Sequence, residues 1–157
     1  MSTLSLSLSL SLMGAMVIGV VLPVQRVYQD QQRAVSVQDA VTHLKAEGVA
    51  FYHHRVLTSR CLPQTTLSNA DITQPASDGL ASYQVSYRQD SQPNTQPRDI
   101  VVEVTLDASL SLDSFSYYLS PDETLPPSTL RFYEPIIIEQ PDWSGWNRNT
   151  GCFEYSL

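Results

Sequence analysis

The chain begins with a long apolar stretch. No charged side chain occurs between Ser2 and Gln25, and residues 4–24 consist almost entirely of Leu, Ser, Met, Val, Ile, Gly and Ala. As a helix rising about 1.5 Å per residue, this stretch would cross about 30 Å of hydrocarbon. The Ser-Leu alternation at 5–12 has the period of a strand, but a lone strand cannot satisfy its backbone in lipid. Residues 1–24 are therefore predicted to form a transmembrane helix.

A cleaved secretory signal is the alternative for this segment. Such a signal has a basic residue before its apolar run and a small-residue cleavage site after it, and this sequence shows neither. The run is also long for a signal, so a retained anchor is favoured. Arg26 and Arg33 flank its C-terminal side and by themselves would hold that side in the cytoplasm.

Beyond this segment the apolar positions repeat with a helical period. They are spaced by 7, 3, 4, 3, 4 and 3 residues, which makes a narrow stripe: Val27, Ala34, Val37, Val41, Leu44, Gly48 and Phe51. One helix is predicted from about residue 4 to about residue 60, bent at Pro23. Residues 25–60 form its amphipathic half. An ordinary linker helix is the alternative, although a linker has little need of a regular apolar stripe.

The pattern changes after Cys61. Residues 63–79 are dense in turn formers and predict a loop. Alternating apolar positions then predict strands at 81–88, 99–106, 114–119 and 130–139. A four-stranded, mainly antiparallel sheet follows, and its apolar face needs the striped helix as cover. The predicted fold class is α+β, with a long N-terminal helix packed on the sheet and residues 61–157 forming a β-rich domain.

Composition and charge narrow the function classes. The 157 residues carry nine Lys plus Arg against sixteen Asp plus Glu, for a net charge of −7. No basic surface is expected for binding phosphates, which excludes nucleic acid as a partner. Residues 1–60 hold five basic and three acidic side chains, whereas residues 61–157 hold four and thirteen. This asymmetry indicates two different physical environments.

Common catalytic motifs are absent from the sequence. The sequence holds no G-x-S-x-G, P-loop, H-E-x-x-H or C-x-x-C. His53 and His54 are neighbours that diverge by about 100° on a helix, so they cannot easily chelate one metal ion. We predict no enzyme activity, no catalytic or metal-binding residues and no cofactor. The acidic patch Pro121-Asp122-Glu123 and the Pro126-Pro127 pair predict a solvated turn.

Two tryptophans lie close together near the end of the chain. Trp143 and Trp146 occur among polar residues, where an aromatic ring can stack on a sugar or pack on a protein partner. Local core packing is the alternative.

Residues 17–30 read Val-Ile-Gly-Val-Val-Leu-Pro-Val-Gln-Arg-Val-Tyr-Gln-Asp. They resemble the stretch of type IV pilins and type II secretion pseudopilins where an apolar helix reaches a proline and then a Tyr-Gln-Asp-like segment. With Pro23 on the family's proline, Ser2-Thr3-Leu4 falls where a mature pilin begins with Phe-Thr-Leu. The resemblance covers the first 60 residues in sequence, and the rest in the order of helix, polar loop, sheet and late cysteine.

The departures from the family define the kind of pilin that is expected. Ser2 replaces the N-terminal Phe, and Leu6 stands where the family has an acidic residue that pairs with a neighbour's amine during subunit addition. No short basic leader ending in Gly precedes Ser2 in this sequence. The resemblance therefore implies an atypical minor pilin or a pilus-biogenesis accessory.

The resemblance implies assembly through bundled helices. Small residues would let neighbouring helices approach closely within the membrane, and the apolar stripe would pack between helices outside it. The implied bundling positions are Gly14, Gly19, Val27, Ala34, Val41 and Leu44. The same stripe positions would alternatively be used within the monomer. The implied partners are other pilin-like subunits, the pilus assembly machinery and inner-membrane lipid. The implied location is the bacterial inner membrane, which the chain would cross once with its C-terminal domain in the periplasm. This orientation is the opposite of the one that Arg26 and Arg33 alone would indicate, and the resemblance is given precedence.

A second functional class remains open. The chain would be a membrane-tethered extracytoplasmic binding protein, adhesin-like, that uses the tryptophan cluster and does not enter a filament.

Cys61 and Cys152 are the candidates for a disulfide. In an oxidising compartment they would close a loop of about ninety residues, to which the chain-entropy model assigns roughly 4–5 kcal/mol. A pair of buried free thiols is the alternative.

Overall fold

The computed structural model describes residues 3–138 and 145–154, and it describes the side chains of the first helix from Val24 onward. The fold is α+β, as predicted: a long N-terminal helix packs on a four-stranded antiparallel sheet with strand order β1-β2-β4-β3. The elements are α1 (Thr3–Ser59), a 3-10 turn (Asn69–Asp71), β1 (Ala81–Arg88), β2 (Asp99–Leu106), α2 (Leu112–Leu119), β3 (Glu123–Leu125), β4 (Thr129–Pro135), β5 (Trp146–Asn147) and β6 (Cys152–Phe153).

The helix packs on the sheet through a stripe with spacings of three and four residues, which keeps one face of a 3.6-residue helix toward the core. Its buried members are Ala34, Val37, Val41, Leu44, Gly48, Tyr52 and Val56. Two positions of the predicted stripe are not fully buried in the structure. Val27 is exposed because it precedes the part of α1 that touches the sheet, and Phe51 is only half-buried because the stripe continues through Tyr52 instead.

The inner face of the sheet supplies the other half of the core. Every second residue points at α1, as the pleat of a strand requires, and the fully buried members include Val85, Ile100, Val102, Val104 and Leu130. The predicted bounds of β1 and β2 are confirmed.

The predicted strand at 114–119 is wrong, because this segment lies in α2. Phe115 and Leu119 are four residues apart and both buried, whereas Tyr117 between them is 82% exposed. A strand would have placed all three on one face, while a helix separates Tyr117 from the other two. Ser120 adopts the left-handed conformation and its N–H bonds the Ser116 carbonyl, which ends the helix.

The fourth sheet strand is shorter than predicted, and its neighbour β3 was not predicted. β4 ends at Pro135, and one further backbone bond, from the Ile136 N–H to the Arg98 carbonyl at 3.2 Å, follows it. The predicted solvated turn is wrong at Glu123, which is half-buried and begins β3. Pro126-Pro127, with a cis peptide bond, connects β3 to β4.

Among the described residues, no helix combines the length and the apolarity that crossing a membrane requires. The predicted membrane segment, residues 1–24, falls almost wholly on side chains outside the described part. The same holds for Gly14 and Gly19. A membrane-spanning role for this segment therefore stays a prediction.

The Cys61–Cys152 disulfide is confirmed, with an S–S distance of 2.02 Å. It joins the end of α1 to the β5–β6 hairpin across 91 residues of sequence. Backbone hydrogen bonds flank it on both sides, from the Leu62 N–H to the Gly151 carbonyl at 2.9 Å and from the Phe153 N–H to the Arg60 carbonyl at 2.8 Å.

Candidate assembly interface

The N-terminal end of the described helix surface extends beyond the β-domain. No residue of the segment 24–33 is buried, and Ala34 is the first that contacts the core. This free segment is about 15 Å long at the rise of an α-helix. It nevertheless carries large apolar side chains, since Val24, Val27 and Tyr28 are 63%, 55% and 61% exposed.

These exposed side chains share one helix face. At about 100° per residue, Val24, Val27, Tyr28 and the exposed Val35 project within about 100° of one another. The centre of this face lies about 100° around the helix from the buried stripe. We call it the second face of α1, in contrast to the stripe that packs on the sheet.

The second face continues alongside the β-domain as a groove. Its cavity measures about 510 Å³ and is lined by Gln38, Thr42, Lys45, Ala46, Val49, Ala50, His53 and Glu134. The seven helix residues of this set project within about 140° of one another, and the centre of this range lies close to the directions of Val24 and Val35. Small side chains at Ala46 and Ala50 keep the helix surface low, so a partner backbone can approach closely. Apart from Val49, which packs partly against the core, this helix face thus remains outside the monomer core from Val24 to His53.

An ion pair forms one wall of the groove. The Lys45 ammonium lies 3.0 Å from the Glu134 carboxylate of β4. Both groups are partly exposed, so this pair contributes little stability and is screened by salt. Its main effect is to keep both charges along one side of the groove.

A loop is fastened to the opposite side of α1. The Glu47 carboxylate accepts hydrogen bonds from the Thr73 hydroxyl at 2.5 Å and from the Thr73 N–H at 3.0 Å. The hydroxyl bond is the main cause that lowers the pKa of Glu47. This contact holds the segment that follows the 3-10 turn beside β1.

The same loop covers the edge of β1. The Asn69 amide donates to the Tyr83 carbonyl at 2.6 Å and accepts from the Val85 N–H at 3.0 Å, as a neighbouring strand would. The Tyr83 N–H is bonded to the Ala76 carbonyl. Because these groups of the edge strand are occupied, association by adding a strand at β1 is disfavoured.

The outer face of the sheet carries a connected polar network. Arg131 bonds Glu103 at 2.5 Å and Glu123 at 3.4 Å, and the Tyr133 hydroxyl donates to Glu123 at 2.6 Å. The Tyr133 bond is the main cause that lowers the pKa of Glu123, and the same bond raises the pKa of Tyr133. Arg88, which is paired with Asp99, covers the Tyr133 ring. These side chains are hydrogen-bonded and ion-paired with one another, so we assign them a role in stabilising the sheet.

The predicted interface residues differ in where the structure places them. Ala34, Val41 and Leu44 are buried against the sheet, so they serve intrachain packing. Of the predicted bundling positions whose side chains the structure describes, Val27 is the one at the surface. Gly14, Gly19 and Trp143 lie outside the described side chains. Trp146 is half-buried in β5. Within the described ranges, no cluster of three His, Cys, Asp or Glu is arranged to hold a metal ion.

The second face was missed by sequence reasoning because polar residues interrupt it. Gln31, Gln38, Thr42 and Lys45 alternate with Val35 and Val49 along it, so it lacks the apolar contrast of the buried stripe. A spacing of alternately four and three residues from Val24 to Val49 would have been the signal.

No protein-family model, curated protein or solved structure matches this chain. The resemblance to pilins therefore depends on residues 17–30 and on the order of the elements.

Proposed function

We propose that the chain is a structural or assembly component of a type IV pilus or a pilus-like secretion filament, acting as a minor pilin or an assembly factor. The observation that carries this proposal is the second face of α1. A helix that has already buried one stripe against its own sheet keeps a separate face, apolar at Val24, Val27, Tyr28 and Val35, without a cover in the monomer. Helices of neighbouring subunits are the proposed cover.

The energetics favour a bundle over a simple pair. Full burial of a Val-sized side chain contributes about 1.5–3 kcal/mol, whereas association costs about 4 kcal/mol or more in lost translational and rotational freedom. Val24, Val27 and Val35 together therefore give only weak binding to one neighbour. Contacts with several helices, combined with confinement to a membrane, would supply the rest.

The proposal also includes a location for each part of the chain. Residues 1–24 would lie in the inner membrane and the β-domain in the periplasm, with other pilin-like subunits and the assembly machinery as partners. The Cys61–Cys152 bridge supports an oxidising compartment for the β-domain.

The proposal is tested by placing a charge on the second face. Val27→Asp changes a side chain that is exposed in the monomer, so the chain should fold and remain in the membrane fraction. It should be lost from filaments released by shearing, because a carboxylate at a packed helix contact is costly to bury. Equal recovery of Val27→Asp and wild type in sheared filaments would contradict the proposal.

Gln29→Asp is the matched control. Gln29 is also exposed and two residues away, but it points about 140° from the centre of the second face. Filament incorporation should be unchanged in this variant. Val41 and Leu44 are unsuitable for the test, because a carboxylate at either position would enter the monomer core.

A further inference from the structure

A cleft lies at the end of the domain that carries the disulfide, away from the second face of α1. Its volume is about 520 Å³, and it is lined by Leu62, Asp90, Thr95, Gln96, Ile138, Trp146 and Arg148. This size falls within the range of small-molecule sites. Its walls come from the segment after α1, the β1–β2 loop, the segment after β4 and the β5 hairpin.

The walls of this cleft are fixed to one another. The Cys61–Cys152 bond and the Leu62–Gly151 hydrogen bond tie the segment after α1 to the hairpin. The Asn94 amide donates to the Asn149 carbonyl at 2.6 Å, which ties the β1–β2 loop to the same hairpin. A preformed cleft of this kind binds ligand with little ordering cost.

Gly151 makes this junction possible. Its φ of +69° favours glycine, and a Cβ at this position would lie 2.3 Å from the Asn94 carbonyl oxygen. The hairpin and the β1–β2 loop therefore lie closer together than a side chain at position 151 would allow.

The chemistry of the lining combines apolar walls with a polar rim. Trp146, Leu62 and Ile138 supply apolar surface, whereas Asp90, Thr95, Gln96 and Arg148 supply hydrogen-bonding groups. One oxygen of Asp90 accepts bonds from the N–H and hydroxyl of Ser91, and its second oxygen has no protein partner among the described residues. Arg148 likewise makes no ion pair within the described part of the chain.

Among the described residues of the lining, the ionised side chains are Asp90 and Arg148, whose charges have opposite signs. This described part of the lining carries no net charge with which to select an anion or a cation. A ligand with an apolar face and several hydroxyl groups at its edge fits this arrangement, since the face can pack on an aromatic ring while carboxylate, amide and guanidinium groups bond the hydroxyls.

We propose that this cleft binds a neutral saccharide, with Trp146 as the stacking surface and Asp90 and Arg148 as the principal hydrogen-bonding groups. The site is separate from the second face of α1, so binding does not depend on whether the chain enters a filament.

The experiment uses the full chain, purified in a detergent without a sugar headgroup. Cellobiose, lactose and N,N′-diacetylchitobiose are titrated separately, and binding is followed by saturation-transfer NMR and calorimetry. At least one of these disaccharides should bind saturably with a Kd of about 1 mM or tighter. Failure of all three to bind would overturn the proposal.

Variants then locate the binding. Asp90→Asn keeps an oxygen for the Ser91 N–H but removes the charge, and it should weaken binding about tenfold, as should Arg148→Gln. Asp107→Asn is the matched control, because Asp107 also accepts a local turn bond, from the Ser109 N–H, and does not line the cleft. Equal affinity in Asp90→Asn, Arg148→Gln and Asp107→Asn would assign the saccharide to another surface and overturn the proposal.

Two substitutions of Trp146 test its proposed role as the stacking surface. Trp146→Phe keeps an aromatic ring and should retain measurable binding, whereas Trp146→Ala should abolish it. Thermal melting of both variants shows whether the hairpin remains folded. Unchanged binding by a folded Trp146→Ala variant would contradict the proposed stacking.

Discussion

Gly48 of α1 lies directly against Ile100 of β2. A Cβ placed at Gly48 would be 2.9 Å from the Cγ2 atom of Ile100, whose side chain is fully buried. Ile is branched at Cβ and rotates stiffly about χ1, so this methyl group cannot easily move away. The crossing of helix and sheet is therefore set at this point by the absence of a side chain on α1.

Gly48→Ala tests this contact. In an unconstrained helix, replacing Gly with Ala stabilises by about 1 kcal/mol, but overpacking a core costs about 1–3 kcal/mol. We expect Gly48→Ala to leave stability unchanged or to lower it, as measured by urea unfolding.

The control for this prediction is the Ile100→Ala background. Removing Cγ2 of Ile100 opens space, so Gly48→Ala should become stabilising there, and the double-mutant cycle should show coupling of about 1–3 kcal/mol. Stabilisation of equal size in both backgrounds would show that the close contact has no energetic effect.

Asn69→Ala should destabilise the domain and expose the edge of β1. The change leaves the Val85 N–H and the Tyr83 carbonyl without their present partner, at a cost of about 1–3 kcal/mol. The uncovered edge should also increase aggregation. Light scattering and chemical denaturation check both effects, with Asn94→Ala as the comparison at an amide that does not cover β1. Equal aggregation of the two variants would count against edge protection by Asn69.

Loss of the disulfide should lower stability substantially. The bridge spans 91 residues, and the chain-entropy model predicts a loss of about 4–5 kcal/mol in the unfolding free energy. Cys61→Ser, Cys152→Ser and the double variant should melt at similar temperatures. A reducing agent should destabilise the wild type without changing the double variant. Equal stability of reduced and oxidised wild type would be inconsistent with this prediction.

The buried phenols predict alkaline unfolding. Burial raises the pKa of Tyr52 well above its usual value, with a smaller contribution from Tyr87, and burial raises the pKa of Tyr87 to about 12. The folded chain thus holds these protons to higher pH than the unfolded chain, whose tyrosines titrate near pH 10. Stability should be complete below about pH 10 and should fall as the pH rises toward 12 and beyond.

Tyr52→Phe separates this effect from general alkaline damage. The Tyr52 hydroxyl donates to the Leu62 carbonyl at 2.9 Å, so its removal should cost about 1–3 kcal/mol at neutral pH. The loss of stability above pH 10 should become smaller. Tyr117→Phe, at an exposed tyrosine, should change neither quantity, and an identical alkaline profile for Tyr52→Phe would contradict the assignment.

The elements with strong periodicity could be predicted from the sequence. β1 alternates in apolar and polar residues over its eight positions, β2 does so from Val102 to Leu106, and the long helix shows a regular stripe from Ala34 onward. The pairing of the disulfide could also be predicted, because the chain contains only two cysteines.

The short elements, and those whose apolar pattern fits both a helix and a strand, could not be predicted from the sequence. Phe115 and Leu119 fit both a period of two and a spacing of four, and only packing against α1 selects the helix. β3 has three residues and no pattern of its own, so its pairing with β4 defines it. Burial of Val41 and Leu44 in the monomer depends on the position of the sheet, which periodicity alone does not give.

Photocrosslinking in the native membrane tests the central proposal most directly. A photoreactive amino acid at Val35 lies on the second face of α1, whereas one at Ser36 is also exposed but points about 100° away. The proposal predicts crosslinked products larger than the monomer from position 35 and few from position 36. Absence of such products at position 35, or equal yields at the two positions, would contradict assembly through this helix face.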